Sequence, residues 1–246
     1  MGMRDMDHAE ARAEMAAAFR WTAREDMHEG VANHFSFAVN DAGTEFLINP
    51  KKHFSAIKAS DLWVVDADDP ESAKGDDAPD QTAWGLHGSL HRHVPHARCA
   101  MHVHSTYATV LASLADSRLP AIDQNSAMFH NRQVVDEGYG GLALEDEGTR
   151  CAQMFQDPSV RTMIMGNHGV LFIGETVAET FMRMYYFERA ARNYILALQT
   201  GRELRVLSEE VAERTAQQLD EDHGADVDLL RGIRVVLDRD EPDYVT

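Results

Sequence analysis

Residues 97–116 read ARCAMHVHSTYATVLASLAD. The first eight residues form an apolar run that predicts a strand. The rest predicts a helix that Ser105 could cap. Successive strand side chains point to opposite faces, so His102 and His104 share one face at the strand's end. Two imidazoles on one face can converge on a metal ion. Two ligands do not make a site, however, and a zinc or iron centre needs a third and a fourth.

Working outward, HFSFAV (34–39) and EFLINP (45–50) are short apolar runs joined by the turn cluster NDAGT, the pattern of a hairpin. DLWVVDA (61–67) predicts a further strand, followed by an acidic loop. Helices are expected over 7–28, stopped by Gly30, and over DQTAWGLHGSLHRHVP, capped near Asp80 and ended by Pro95. A further helix is expected over 145–157. TMIMGNHGVLFI holds two β-rich halves split at Gly166 to Gly169. Thr176 and Glu179 then stand as a capping box before the long amphipathic helix VAETFMRMYYFERAARNYILAL. The elements alternate without the spacing of βαβ repeats. A layered α/β sandwich follows, not a Rossmann sheet.

Composition narrows the function. The chain has 246 residues, enough for one large core, and no run approaches the roughly 18 apolar residues of a membrane span. Its start is acidic and unlike a signal peptide, and two cysteines are too few for a disulfide framework, so a reducing cytoplasm is expected. The net charge of −18 repels phosphate backbones and anionic lipids, which argues against nucleic-acid and membrane partners. Much of that acidity lies in 66–80 and in the final DRDEPDY, both read as solvated loop or tail.

His168, between an Asn and a Gly at the break between two strands, is a candidate third ligand. It lies 64 residues beyond His104, so only the tertiary fold can unite them. His87 and His91, spaced i and i+4, face the same way; a polar helix face beside the sheet is the simpler reading than a second metal motif. FHNR (129–132) offers His130 and Arg132 as a polar pair for an anionic substrate. GYGG (138–141) resembles no nucleotide loop, and no nucleophile elbow is present.

CAMHVHSTYATVLASL, MGNHGVLFIGETVAETF and the order of elements together resemble the class II aldolase/adducin family, over about residues 10 to 200. The resemblance implies a three-layer α/β/α sandwich around a mainly antiparallel sheet, and a homotetramer with active sites between subunits. It also implies that His102, His104 and His168 bind a divalent metal, zinc first, with iron or manganese as alternatives. It suggests a catalytic domain over 1–202 and an acidic extension over 203–246 that packs on a neighbouring subunit.

Departures from the family are informative. The acid/base Glu of the sugar-phosphate aldolases falls on Ala83, within DQTA. The phosphate loop becomes GVANHFS, which places Asn33 and His34 at the substrate. The Tyr that assists in aldolases aligns near Gln124. The NH, FLINP and ASDL segments match the adducin-type branch, whose heads lack the metal histidines that this chain retains. A metal-dependent carbon–carbon lyase is therefore expected, a decarboxylase or aldolase acting on a small, non-phosphorylated, carboxylate-bearing substrate. Lys51, Lys52 and Arg132 would grip the carboxylate. His130, a water on the metal or a Tyr from another subunit would deliver the proton. The alternatives are a non-haem iron oxygenase acting on an aromatic oxo-acid and a catalytically silent binding module.

Overall fold

The computed structural model describes residues 8–138, 146–222 and 224–246. Among these, seven strands form one sheet in the order β3-β2-β1-β4-β7-β6-β5. The ARCAMHV run supplies its middle strand, β4 (Cys99–Val103). On one side β4 pairs with β1 (His34–Ala38), which continues to β2 (Glu45–Ile48) and β3 (Trp63–Asp66). On the other it pairs with β7 (Gly169–Gly174), then β6 (Thr162–Met165) and β5 (Gln133–Asp136). Every pairing is antiparallel except β5 with β6.

All residues of β4 and β7 are buried, so both faces of the sheet are covered. Cys99, Met101 and Val103 turn to the larger core, with Phe19, Phe35, Phe172 and Phe187. That layer contains α1 (Ala9–Arg24), α3 (Thr106–Ala112), α6 (Val177–Gln199) and α8 (Ala225–Asp240). Ala100 turns the other way, toward Leu86, Leu90 and Phe155 of α2 (Gln81–His93) and the stretch around α5 (Asp146–Met154). Two shorter helices are α4 (Gln124–Ala127) and α7 (Glu209–Asp220). The architecture is the expected α/β/α sandwich around a mainly antiparallel sheet.

The hairpin forms where NDAGT predicts it. Asn40 Oδ1 accepts the Thr44 N–H at 3.0 Å, and Gly43 turns at φ 66°. A Cβ there would lie 2.1 Å from the His91 carbonyl oxygen, so the turn is pressed onto α2 and only glycine fits. Asp80 caps α2, accepting the Thr82 N–H at 2.8 Å.

Several expectations are corrected. Ser105 occupies the cap position of α3, but its hydroxyl donates to Glu188 of α6 at 2.7 Å. Glu188 itself accepts the N–H groups of Tyr107 and Ala108, so a carboxylate from another helix caps α3. Only half of the Thr176/Glu179 box forms: Thr176 accepts from Glu179, while the Glu179 carboxylate takes the Glu175 N–H. The final DRDEPDY is no free tail. Glu241 and Asp243 each hold Arg20 at 3.2 Å, and Glu241 also takes Arg24 at 2.7 Å. Leu230, Ile233, Leu237 and Tyr244 join the main core. Residues 139–141 of GYGG lie outside the described residues. No helix among the described residues is long and apolar enough to cross a membrane.

Candidate metal centre

Register sets the site. On β4 and β1, His102 stands directly opposite His34, and both project to the α2 side of the sheet. The chain leaves β4 through His104 and enters β7 through His168, whose N–H is held by Met165. A ligand nitrogen from each of His102, His104 and His168 lies within 4.8 Å of the other two. Each His168 ring contact, to His102 and to His104, is 4.8 Å between centroids. The three predicted ligands therefore come together.

Hydrogen bonding decides which nitrogens face one another. His102 Nδ1 contacts the Val170 carbonyl at 3.2 Å, and His104 Nδ1 contacts the Glu29 carboxylate at 2.5 Å. Both partners can only accept, so both Nδ1 atoms carry the proton. With both rings neutral, the Nε2 atoms, 2.8 Å apart, meet lone pair to lone pair. Only a positive charge between them makes that approach favourable. A proton joins two nitrogens; a metal ion can meet all three imidazoles at once. Three nitrogens at about 2.0–2.1 Å from a tetrahedral zinc stand about 3.3 Å apart, so loading asks the pair to open by only about half an ångström. The residues fit a divalent ion. Burial also pushes His102 well below the usual imidazole range and His168 down to about 4, which keeps both neutral and ligating near pH 7.

A second imidazole pair shows the contrast. His28 Nε2 and His53 Nε2 are also 2.8 Å apart. There the Ser55 N–H donates to His53 Nδ1, which puts the proton on His53 Nε2 and makes an ordinary hydrogen bond to His28.

Of the other site candidates, the structure brings Asn33 and His34 to the cluster. The His34 ring stacks on His102 with centroids 4.9 Å apart. Asn33 Oδ1 accepts the Glu29 N–H at 2.7 Å, and its buried Nδ2 is a donor with no partner among the described residues.

His130 and Arg132 are not brought there. β5 runs from Gln133, beside Thr162, to Asp136, beside Met165 and the approach to His168. His130 and Arg132 therefore sit at the opposite end of that strand, about 10 Å or more away at 3.3 Å per residue. His130 pairs with Glu209 at 2.9 Å. Arg132 is buried between Glu213 at 3.0 Å and Asp220 at 2.7 Å of α7. Lys52 pairs with Asp61 at 2.6 Å and Lys51 with Asp80 at 2.7 Å. Gln124 is exposed on α4. Arg132, Lys51 and Lys52 each already have a carboxylate partner. Ala83 faces Phe46, Ile48 and Val65 in an apolar pocket, and α2 contains no acidic residue.

Sequence reasoning missed Glu29, which orients His104. A lone acidic residue in a loop carries no local signal of that task.

Comparisons with known proteins agree with this fold. A 4-hydroxy-3-prenylphenylpyruvate oxygenase/4-hydroxy-3-prenylbenzoate synthase of Streptomyces roseochromogenus subsp. oscitans is 29% identical, across 86% of this chain and 78% of its own. Decarboxylase NovR of Streptomyces niveus is 28% identical across 86% and 80%. An aldolase II superfamily protein from Pseudomonas syringae superposes with TM-score 0.88 at 25% identity, covering 99% of this chain and 98% of its own. The model of the Class II Aldolase and Adducin N-terminal domain matches residues 13–195, and the chain belongs to that family.

Proposed function

We propose that the protein is a divalent-metal-dependent carbon–carbon lyase and, within that class, a decarboxylase of a small, oxygenated, non-phosphorylated acid. One observation carries the reading: His102 and His104 bring their Nε2 atoms within 2.8 Å of each other, with a ligand nitrogen of His168 beside both. A divalent ion bound there, zinc first, supplies the Lewis acidity that stabilises the enolate left when a carbon–carbon bond breaks.

The chain's own residues do the rest. Val170 and Glu29 hold the tautomers of His102 and His104, so the ligand nitrogens are set before anything binds. Asn33 Nδ2 offers a buried N–H to a substrate oxygen. Helix α2 supplies no carboxylate, and Ala83 lies in an apolar pocket, so the proton-transfer group of the sugar-phosphate aldolases is missing. That loss would cost aldol cleavage about 10² to 10⁴ in rate. Departure of CO₂ needs no base, which ranks decarboxylation first. The name of the Streptomyces niveus relative supports this order. The oxygenase name of the other Streptomyces relative favours the second reading, an oxygen-dependent enzyme.

The test is CO₂ release from a panel of β-keto acids and ortho-hydroxy aromatic acids by zinc-loaded protein under anaerobic conditions. Release that persists without oxygen and disappears in His104→Ala supports the lyase. Release only after oxygen is admitted to ferrous protein supports the oxygenase and overturns the proposal.

A further inference from the structure

Behind the metal centre a chain of polar side chains crosses the α2 face of the sheet, and no step described so far uses it. His91 Nδ1 lies 2.7 Å from the Ala97 carbonyl oxygen. His91 Nε2 lies 2.7 Å from Ser36 Oγ, which also contacts His87 Nδ1. His87 Nε2 lies 2.6 Å from His34 Nδ1, and the His34 ring stacks on His102. Ser36 and His87 are fully buried, and His91 and His34 are 6% and 8% exposed.

The polarity of this chain has one solution. A carbonyl only accepts, so the Ala97 end requires a proton on His91 Nδ1. Burial holds His91 down to about 4 and His87 well below its ordinary value, so both are neutral imidazoles. His91 Nε2 is then a bare acceptor, and the single Ser36 proton goes to it. Ser36 Oγ has no other proton to give and must accept, so His87 carries its proton on Nδ1. His87 Nε2 is bare in turn and accepts from His34 Nδ1. The one ring nitrogen that neither carries a proton nor accepts one from within the relay is His34 Nε2.

We propose that Ser36, His87 and His91 are positioning residues: a directional hydrogen-bond relay, anchored on the Ala97 carbonyl, that fixes His34 in the Nδ1–H tautomer and presents its Nε2 lone pair beside His102. The relay makes His34 a hydrogen-bond acceptor at the metal centre. It selects a substrate with a hydroxyl at that place over one with an ether or a bare carbonyl, because only an O–H can donate to it. Asn33 Nδ2, a donor, complements it by taking an oxygen lone pair. This selectivity rests on the metal-centre reading; the relay's polarity does not.

The experiment is ¹⁵N NMR of metal-free, [¹⁵N]histidine-labelled protein near pH 7.5, each ring assigned by its loss in His34→Gln, His87→Gln or His91→Gln. All three rings are expected as Nδ1–H tautomers, against the Nε2–H preference of free histidine. Ser36→Ala should leave His91 unchanged on its carbonyl and release His87 toward the Nε2–H form. His34 or His87 in the Nε2–H form in the unmodified protein overturns the relay, whatever the outcome of metal analysis. Should Ser36→Ala fail to fold, the unmodified protein alone decides. Failure of the metal-centre reading shows separately, as full metal content in His102→Ala and His168→Ala.

Discussion

Gly169→Ala is the substitution that tests the packing of the metal centre most directly. Gly169 opens β7 beside the ends of β4 and β6, in the N-H-G stretch that supplies His168. A Cβ at 169 would lie 2.6 Å from the Val103 carbonyl oxygen, 2.7 Å from His104 Cδ2 and 3.4 Å from His102 Cε1. An ordinary carbon–oxygen contact is about 3.3 Å, so the methyl is short of room by about 0.7 Å. It cannot be absorbed by one flexible side chain, because the nearest atom is backbone of the strand that pairs with Val170. Overpacking of this kind costs about 1–3 kcal/mol. A loss of about 2 kcal/mol lowers the midpoint of thermal unfolding by about 4–8 °C at about 2–4 °C per kcal/mol for a chain of this size. Moving the His104 ring by a few tenths of an ångström should also weaken the metal about tenfold or more, as loss of an orienting partner does. Gly232→Ala is the control. It lies within α8 with nothing within 4 Å of its Cβ position, and it should gain about 0.5–1 kcal/mol. Calorimetry and metal content after gel filtration read both variants. A Gly169→Ala protein with an unchanged midpoint and full metal content would refute the close approach of β7 to the two imidazoles.

Asp80→Ala should destabilise the protein by about 1 kcal/mol through loss of the α2 cap. Its carboxyl, held down to about 2 despite opposing burial by Lys51 and Thr82, contributes stability that is present above about pH 4 and lost as pH falls toward 2. The acid limb of unfolding in Asp80→Ala should therefore be shallower; an identical limb removes Asp80 from the account. L-fuculose 1-phosphate should be turned over weakly or not at all, because GVANHFS and DQTA replace the small-hydroxyl phosphate loops; efficient cleavage in a coupled assay sinks the non-phosphorylated reading. Light scattering should give an oligomer, since Tyr185, Tyr186 and Tyr194 of α6 stay half-buried at the surface of one chain. A 27.5 kDa particle at micromolar concentration contradicts that expectation.

Elements whose signal is local are legible in the residues alone. The two-residue period of 97–104, the turn cluster between β1 and β2, the Asp80 cap and the glycine break at 166–169 each act within a few residues, and each appears where the pattern puts it. The family follows from the same short motifs. Four-residue β5 has too little alternation to announce itself, and it forms because β6 lies ready beside it. The charge of 203–246 hid a helical stripe at Leu230, Ile233 and Leu237, whose spacing was there to be read. The site rests on contacts between residues far apart in the chain. Bringing His168 against His102 and His104 depends on the β4–β7 register, and excluding His130 depends on which end of β5 it occupies. The i, i+4 pair His87 and His91 shows the same limit: its spacing places both rings on one helix face. Whether that face meets water or a buried serine on β1 is settled only by how α2 lies across the sheet. Periodicity is a property of neighbours along the chain. Ligation, pairing and tautomer are properties of neighbours in space.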